Sequence, residues 1–313
     1  MSYFMSLNPL SLFRAMPGSI AQGMIWGVMA LGVYITFRLL DFADLTVDGS
    51  IATGAAVSVM LIRAGVSPIA TLPIAFLAGA LAGMVTGLLN TALGIPGILA
   101  SILTQISLYS INLNMGKANQ PVSVDNYPLV VSLRYVTDGS VSRLLFFLGM
   151  IVFLLALIAV MYWYFGTEQG HAIRATGCNS NMARAQGINT NFIKVLALMI
   201  SNGLVGLCGA LYGQFQGASD VNMGRGAIVI GLAAVIIGEV LFGKFASKRK
   251  LAFAFTLASV ILGAVIYYMV YQFVLWLKMP SEDMKLFSAI VVAIFLAIPY
   301  LKEKRTLRKG ASK

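Results

Sequence analysis

Charge is scarce in this sequence. Asp, Glu, Lys and Arg make up 11% of its 313 residues, against about 25% in a soluble domain. So few charges leave a compact particle of this size poorly solvated in water, whereas a lipid-facing surface needs none. Histidine occurs once, at His171, with no Cys or His cluster near it, which excludes a metal site built on such ligands. The two cysteines, Cys178 and Cys208, make no disulfide framework, and Cys208 lies within an apolar run as a small packing residue. Phosphate-binding loops and kinase or hydrolase signatures are missing. No loop is long enough to bury a core of its own. The net charge of +11 does not point to nucleic acid, because the basic residues sit between long apolar runs and at the C-terminus.

What is abundant is apolar residues, at 59%. A helix needs about 20 of them to cross the hydrocarbon core. The runs are Ile20 to Phe37, Gly49 to Ile62, Ile69 to Leu93, Ile95 to Leu113, Leu144 to Phe165, Phe192 to Phe215, Gly226 to Phe242, Leu251 to Trp276 and Leu286 to Leu301. The second is short and the seventh Gly-rich, so either is a candidate for a re-entrant or broken segment. Met1 to Pro17 is weakly apolar and carries no cleavable-signal pattern, so the first run is expected to stay as a span. The expectation is an all-α polytopic membrane protein with about eight to nine transmembrane or re-entrant helices, in one domain over residues 1–313.

Lys and Arg orient the spans. Arg174, Arg184 and Lys194 lie in one loop, Lys244, Lys248, Arg249 and Lys250 in another, and Lys302, Lys304, Arg305, Arg308, Lys309 and Lys313 form the tail. All three regions, and so the C-terminus, are expected on the cytoplasmic side. The loop from Gly116 to Arg143 then falls outside. Nine full spans put the N-terminus outside too, and one re-entrant segment among the early runs reverses that.

Two polar interruptions stand out. Residues Gly170 to Asn189 lie on the cytoplasmic side by the charge rule. Asn179 suits a helix N-cap and Gly187 a helix stop, which predicts a short helix of about two turns between them. The small side chains of Ala183 and Ala185 let another surface come close, so the helix is either a docking element or a solvated connector. The second interruption, Asp41 to Ser50, places three carboxylates in eight residues, which is costly at membrane depth. Asp48 before Gly49-Ser50 reads as the N-cap of the next helix. Asp44 has no helix start beside it. The segment is either a broken helix bordering a path or an ordinary cytoplasmic turn.

Polar residues inside the runs are Gln22, Asn90, Gln105, Asn112, Asn202, Gln214, Glu239 and Gln272. Each needs a hydrogen-bond partner or a watery cavity. Gln105 and Asn112, seven residues apart with Tyr109 between, share a helix face that either lines a path or bonds to a neighbouring helix. Glu239, five residues before Lys244, suits a local ion pair. Small residues cluster at Ala78, Gly79, Ala80, Gly83 and Gly87, and again at Gly203, Gly206, Gly209, Ala210 and Gly213. They suit close helix crossing in the subunit core or at a dimer interface.

The order G-x-x-x-R-A-x-G-x-N, then A-R-A-x-G-I-N, from Gly170 onward closely resembles the cytoplasmic coupling loop of ABC importer permeases of the branched-chain amino acid and ribose group. The resemblance implies that Gly170, Arg174, Ala175, Asn179, Ala183, Arg184, Gly187 and Ile188 form the element that inserts into an ATPase subunit. Asp44-Leu45-Thr46-Val47-Asp48-Gly49-Ser50 is similar to the D-L-S-V-G-S segment of sugar-type permeases of that family, with Asp48 added. That segment, Ala30 to Val33, Thr36 to Arg38, Gly87 to Asn90, Ile95-Pro96, Ile102 to Thr104 and Tyr109 to Leu113 together look like tryptophan/tyrosine transport system permeases. Such a chain holds no cofactor, since ATP is used by the partner. Its implied partners are two ATP-binding subunits, a second permease copy, an extracytoplasmic substrate-binding protein and membrane lipid, with no nucleic acid. The implied role is transport of an amino acid, aromatic by preference, with a branched-chain amino acid, sugar or nucleoside as alternatives. Asp44, Asp48, Asn90, Gln105, Tyr109 and Asn112 are the candidate path residues, and no residue does covalent chemistry. A self-contained secondary transporter would need an ion-coupling site deep in the spans, and the acids available lie near predicted ends. An intramembrane enzyme would need paired acids or a histidine at helical spacing.

Overall fold

A computed structural model describes residues 9–116, 119–137, 139–246 and 251–277, with isolated positions 286, 290, 293 and 297. The run Leu286 to Leu301 and the basic tail therefore lie largely or wholly outside the described residues. The chain order is α1 (Pro9–Tyr34), a π turn (Ile35–Leu39), α2 (Val47–Arg63), α3 (Pro68–Thr91), α4 (Gly97–Gly116), β1 (Asn119–Pro121) and α5 (Leu133–Thr137). There follow α6 (Ser140–Phe165), α7 (Glu168–Cys178), α8 (Ser180–Ala185), α9 (Thr190–Gln216), β2 (Ala218–Asp220), α10 (Ala227–Ala246) and α11 (Ala252–Trp276). β1 and β2 pair antiparallel, Gln120 opposite Ser219. The fold is all-α apart from this clasp.

Among the described residues six helices are long and apolar enough to cross a membrane: α1 with its π turn, α3, α4, α6, α9 and α11. α10 has a shorter apolar stretch. α2, at 17 residues, spans about 25 Å, less than the roughly 30 Å hydrocarbon core. The two runs singled out as short or Gly-rich are thus the described runs that are not among these six.

α1, α2 and α9 form the centre, and α3, α4, α6 and α11 present apolar faces outward. Proximity at the centre comes from small residues. Gly54 of α2 meets Gly206 of α9 so closely that a Cβ on Gly54 would sit 2.0 Å from the Gly206 carbonyl oxygen. The stripes on α3 and α9 face each other, Gly79 against Asn202 and Gly83 against Leu198. Close crossing here belongs to the subunit core.

The polar residues of the runs mostly bond helix to helix. Gln214 donates to Ser58, Thr71 and the Pro68 carbonyl, and accepts from the Val130 N–H. Ser19 donates to Gln272, and Gln22 to Tyr212. Glu239 is in an ion pair, but with Arg38 at the end of the π turn, which donates at 2.8 and 2.9 Å. This pair ties α10 to α1; the side chain of Lys244, the expected local partner, lies outside the described residues.

α7 and α8, the Arg38–Glu239 pair and Leu39, which abuts Gly177, mark one end of the bundle. The β clasp, the segment 122–137 and the start of α1 mark the other. There Asp125 accepts from Arg134, whose guanidinium holds that carboxyl below the usual carboxylate range.

Candidate functional site

α1 runs toward the α7–α8 end, and the π turn closes with Leu40 N–H donating to the Ile35 carbonyl. Asp41, at φ 56°, reverses the chain; a short polar side chain tolerates this left-handed conformation. The chain then climbs back without helical structure to Thr46. Asp44 is buried there. One of its oxygens accepts from the Thr46 N–H at 3.0 Å, the other from Asn202 Nδ2 at 2.6 Å. Asn202 is also held by Ser50, which donates to its Oδ1 at 2.7 Å. Asn202 lies twelve residues into α9, about 18 Å along a helix of about 40 Å. The break therefore reaches the middle of the bundle. Contrary to expectation, Asp44 does have a helix start to serve, through the N–H of the residue before α2.

Asp48 differs from its expected role as well. Thr46 is the N-cap of α2 and Asp48 lies in its first turn. Its carboxylate turns away and accepts from the Gly226 and Ile228 N–H groups at 2.9 and 3.0 Å. Asp48 thus caps α10, a helix 178 residues further along, whose first N–H groups would otherwise be unpaired. Negative charge there also opposes the positive helix end. α2 and α10 consequently start at one level in mid-bundle and run to opposite ends.

Beside this junction is a cavity of about 230 Å³ lined by Asp48, Gly49, Ala52, Gln105, Ile106, Tyr109, Asn112, Val221 and Arg225. It gathers four of the six candidate path residues. Asn112 is 1% exposed; its Nδ2 approaches the Gly49 carbonyl at 3.4 Å and its Oδ1 has no partner among the described residues. Asp44 is buried behind the junction and does not line the cavity. Asn90 is elsewhere: its amide donates to the Ile95 carbonyl at 2.9 Å and closes the α3–α4 turn. Arg225 and Asn202 were not singled out as site residues. The signal for Arg225 was a lone cation between two glycines, outside every basic cluster.

The loop of residues 166–189 holds two helices, not the single short one expected. Asn179 caps α8, accepting from the Met182 N–H at 3.0 Å, and Gly187 follows the helix at φ 83°. Gly170, Ala183 and Ile188 pack inward, with Gly170 against Phe165. Arg174 lies over the Phe253 ring, 4.1 Å from its centroid, and so fastens α7 to α11. Ala175, Asn179, Met182, Arg184, Ala185 and Gly187 form the exposed side, Arg184 donating to Thr190 at 3.1 Å. Ala183 faces the bundle and Ala185 faces out, so only the latter eases approach of another surface. At Gly177 a Cβ would sit 2.0 Å from the Leu39 carbonyl oxygen, so α7 lies directly on the turn leading into the break.

A family model described as branched-chain amino acid transport system / permease component matches residues 16–299. A tyrosine transport system permease protein of Clostridioides difficile (strain R20291) is 40% identical over 279 residues, 89% of each chain. The inner membrane ABC transporter permease protein YjfF of Escherichia coli (strain K12) is 27% identical over 69% of this chain and 64% of its own. An autoinducer 2 import system permease protein of Yersinia pseudotuberculosis (serotype O:3, strain YPIII) is 28% identical over 81% of this chain and 68% of its own. No solved structure matches significantly. With its apolar helices and a family match over most of its length, the chain belongs to the permease-component family of branched-chain amino acid transport systems.

Proposed function

We propose that this chain is the membrane-spanning subunit of an ATP-driven importer whose solute is an amino acid, aromatic by preference. The carrying observation is mechanical. The exposed loop helices rest, at Gly177 and Leu39, on the turn that feeds the mid-bundle break. A push on the loop from outside reaches the turn before the break through α7, which touches it at this contact. The permease name of the 40%-identical relative supports the aromatic preference.

In this reading Ala175, Asn179, Arg184 and Gly187 present the loop to an ATP-binding subunit. Gly170, Arg174, Ala183 and Ile188 hold it to the bundle. Asp48, Gln105, Tyr109 and Asn112 border the path, and Asp44 braces it. Two ATP-binding subunits, a second copy of this chain and an extracytoplasmic binding protein complete the assembly, in lipid. The basic loops and the C-terminus face the cytoplasm, where Lys and Arg are retained. The chain does no covalent chemistry and needs no cofactor of its own, since the partners bind ATP.

The test is reconstitution. The chain alone in liposomes is expected to show no uptake under any ion gradient, and uptake of L-tyrosine with ATP once the ATP-binding subunits and binding protein are added. Proton- or sodium-driven uptake by the chain alone would overturn the reading.

A further inference from the structure

The cavity beside the break holds one acid, one base and one orphan amide oxygen, and that set has a ligand chemistry. Asp48 enters with both oxygens engaged by the α10 N–H groups, each oxygen keeping a lone pair. The charge is fixed in place by those bonds. Arg225 is exposed, lines the cavity, and is in neither ion pair found among the described residues. Its position is set by the backbone. The Arg225 N–H donates to the Asn222 carbonyl at 3.1 Å, and Gly224 lies so close to Asp48 that a Cβ would sit 1.9 Å from its carbonyl oxygen. The turn carrying Arg225 is therefore pinned to the first turn of α2. Asn112 supplies the third group. Its Oδ1 is buried without a partner among the described residues, and an acceptor left unpaired in a bundle interior costs about 1–3 kcal/mol. A ligand bearing a hydrogen-bond donor there removes that penalty.

We propose that this cavity recognises the zwitterionic head of an α-amino acid, with Arg225 taking the carboxylate and Asn112 Oδ1, with Asp48, taking the ammonium group. A guanidinium presents paired donors that match a carboxylate. An ammonium has three donors and no acceptor, which suits an amide oxygen and a carboxylate with spare lone pairs. A neutral polyol satisfies the oxygens but leaves the guanidinium without a counter-charge. Tyr109 and Ile106 leave the remaining wall for the side chain. Arg225 is thereby a specificity residue in the permease itself, separate from any selection by a binding protein. The inference rests on the reading that an amino acid passes this cavity.

The experiment measures binding of radiolabelled L-tyrosine to the purified full chain in nanodiscs, with two competitors. Tyramine lacks the carboxylate, and 3-(4-hydroxyphenyl)propionate lacks the ammonium. Each lost pair is worth roughly tenfold or more in competing concentration on the wild-type protein. In Arg225→Gln the penalty on tyramine should shrink to within about threefold while the penalty on the desamino acid stays. Asn112→Leu should do the reverse. Because Asn112 is buried and its variant can misfold, the exposed Arg225 carries the test alone if needed. Equal competition by all three compounds on wild type, or a full tyramine penalty in Arg225→Gln, overturns the inference. So does an absence of tyrosine binding by a chain whose complex takes up tyrosine with ATP, and that outcome leaves the transport reading intact. A complex that takes up no amino acid overturns the transport reading and this inference with it.

Discussion

The break at residues 41–48 and the loop at residues 170–189 are both short polar interruptions between apolar helices, and they are held by opposite means. In the loop every side-chain hydrogen bond is local: Asn179 bonds three residues ahead, and Arg184 six. In the break the bonds that matter reach Asn202, Gly226 and Ile228, separated by 158 to 180 residues. The side-chain hydrogen bonds of one segment come from its own sequence, those of the other from the rest of the fold. The difference follows from surroundings. An exposed loop draws on water for groups its caps do not satisfy, whereas carboxylates in mid-bundle need protein partners. It also suits the proposed roles. A self-contained loop can be grasped by a partner without unfolding, and a break tied to α9 and α10 transmits that movement to both.

The largest effect should come from Asp44→Ala. It strips a partner from Asn202 Nδ2 and from the Thr46 N–H, both deep in the bundle. At about 1–3 kcal/mol for each orphaned donor, a loss near 3 kcal/mol is expected in detergent unfolding titrations. Stability equal to wild type would mean that water reaches the break as it reaches the loop, and the contrast would collapse.

Asp48→Asn comes next. Asn is usually as good an N-cap as Asp, so a capping role within α2 would make the change silent. The structure gives Asp48 two backbone donors on α10, and an amide offers one oxygen for them. Its NH₂ then faces the second N–H. A loss of about 1–2 kcal/mol is expected, with amide exchange rising over residues 226–230. Exchange rising only at the start of α2 would return Asp48 to its own helix.

The long helices could be read because twenty apolar residues specify a span without reference to anything else. The Asn179 cap and the Gly187 stop could be read because capping acts over three or four residues. The face shared by Gln105, Tyr109 and Asn112 followed from helical periodicity, and the cavity does collect them. Pairing across the chain was hidden. Nothing near Glu239 points to Arg38, 201 residues away. Nothing near Asp48 points to the start of a helix 178 residues on. Asn90 looked like a path residue because a polar side chain in an apolar run gives no sign of the backbone carbonyl it will find five residues later. Arg225 gives no local signal because it lies between runs, and only the fold carries that link down to the break.

The two segments touch at Gly177 and Leu39. Gly177→Ala places a methyl group against the Leu39 carbonyl, and neither backbone yields easily. Overpacking of this kind costs about 1–3 kcal/mol. A smaller figure, near 1 kcal/mol, is expected here because α7 is partly exposed and can shift outward. Transport should suffer more than stability. ATP-driven uptake by the reconstituted complex is expected to fall several-fold with normal assembly. Uptake at the wild-type rate would show that the loop moves the break by some other contact.

The smallest effect tests whether the loop is as self-contained as its hydrogen bonds make it. Asn179→Ala removes the acceptor for the Met182 N–H and leaves everything outside the loop untouched. Loss of such a cap costs about 1 kcal/mol, and a six-residue helix has no length in reserve. Amide exchange at residues 181–185 should therefore quicken about five-fold, while exchange in α9 and in the break stays at wild-type rates. Asn179→Asp, which keeps an accepting oxygen, should restore protection. Two results would count against this picture. If exchange in α8 does not change, the helix is held by the inward packing of Ala183 and Ile188, and its order is tertiary like that of the break. If the change spreads to residues 41–48, the two segments form one cooperative unit, and the loop cannot be remodelled by a partner without disturbing the bundle centre.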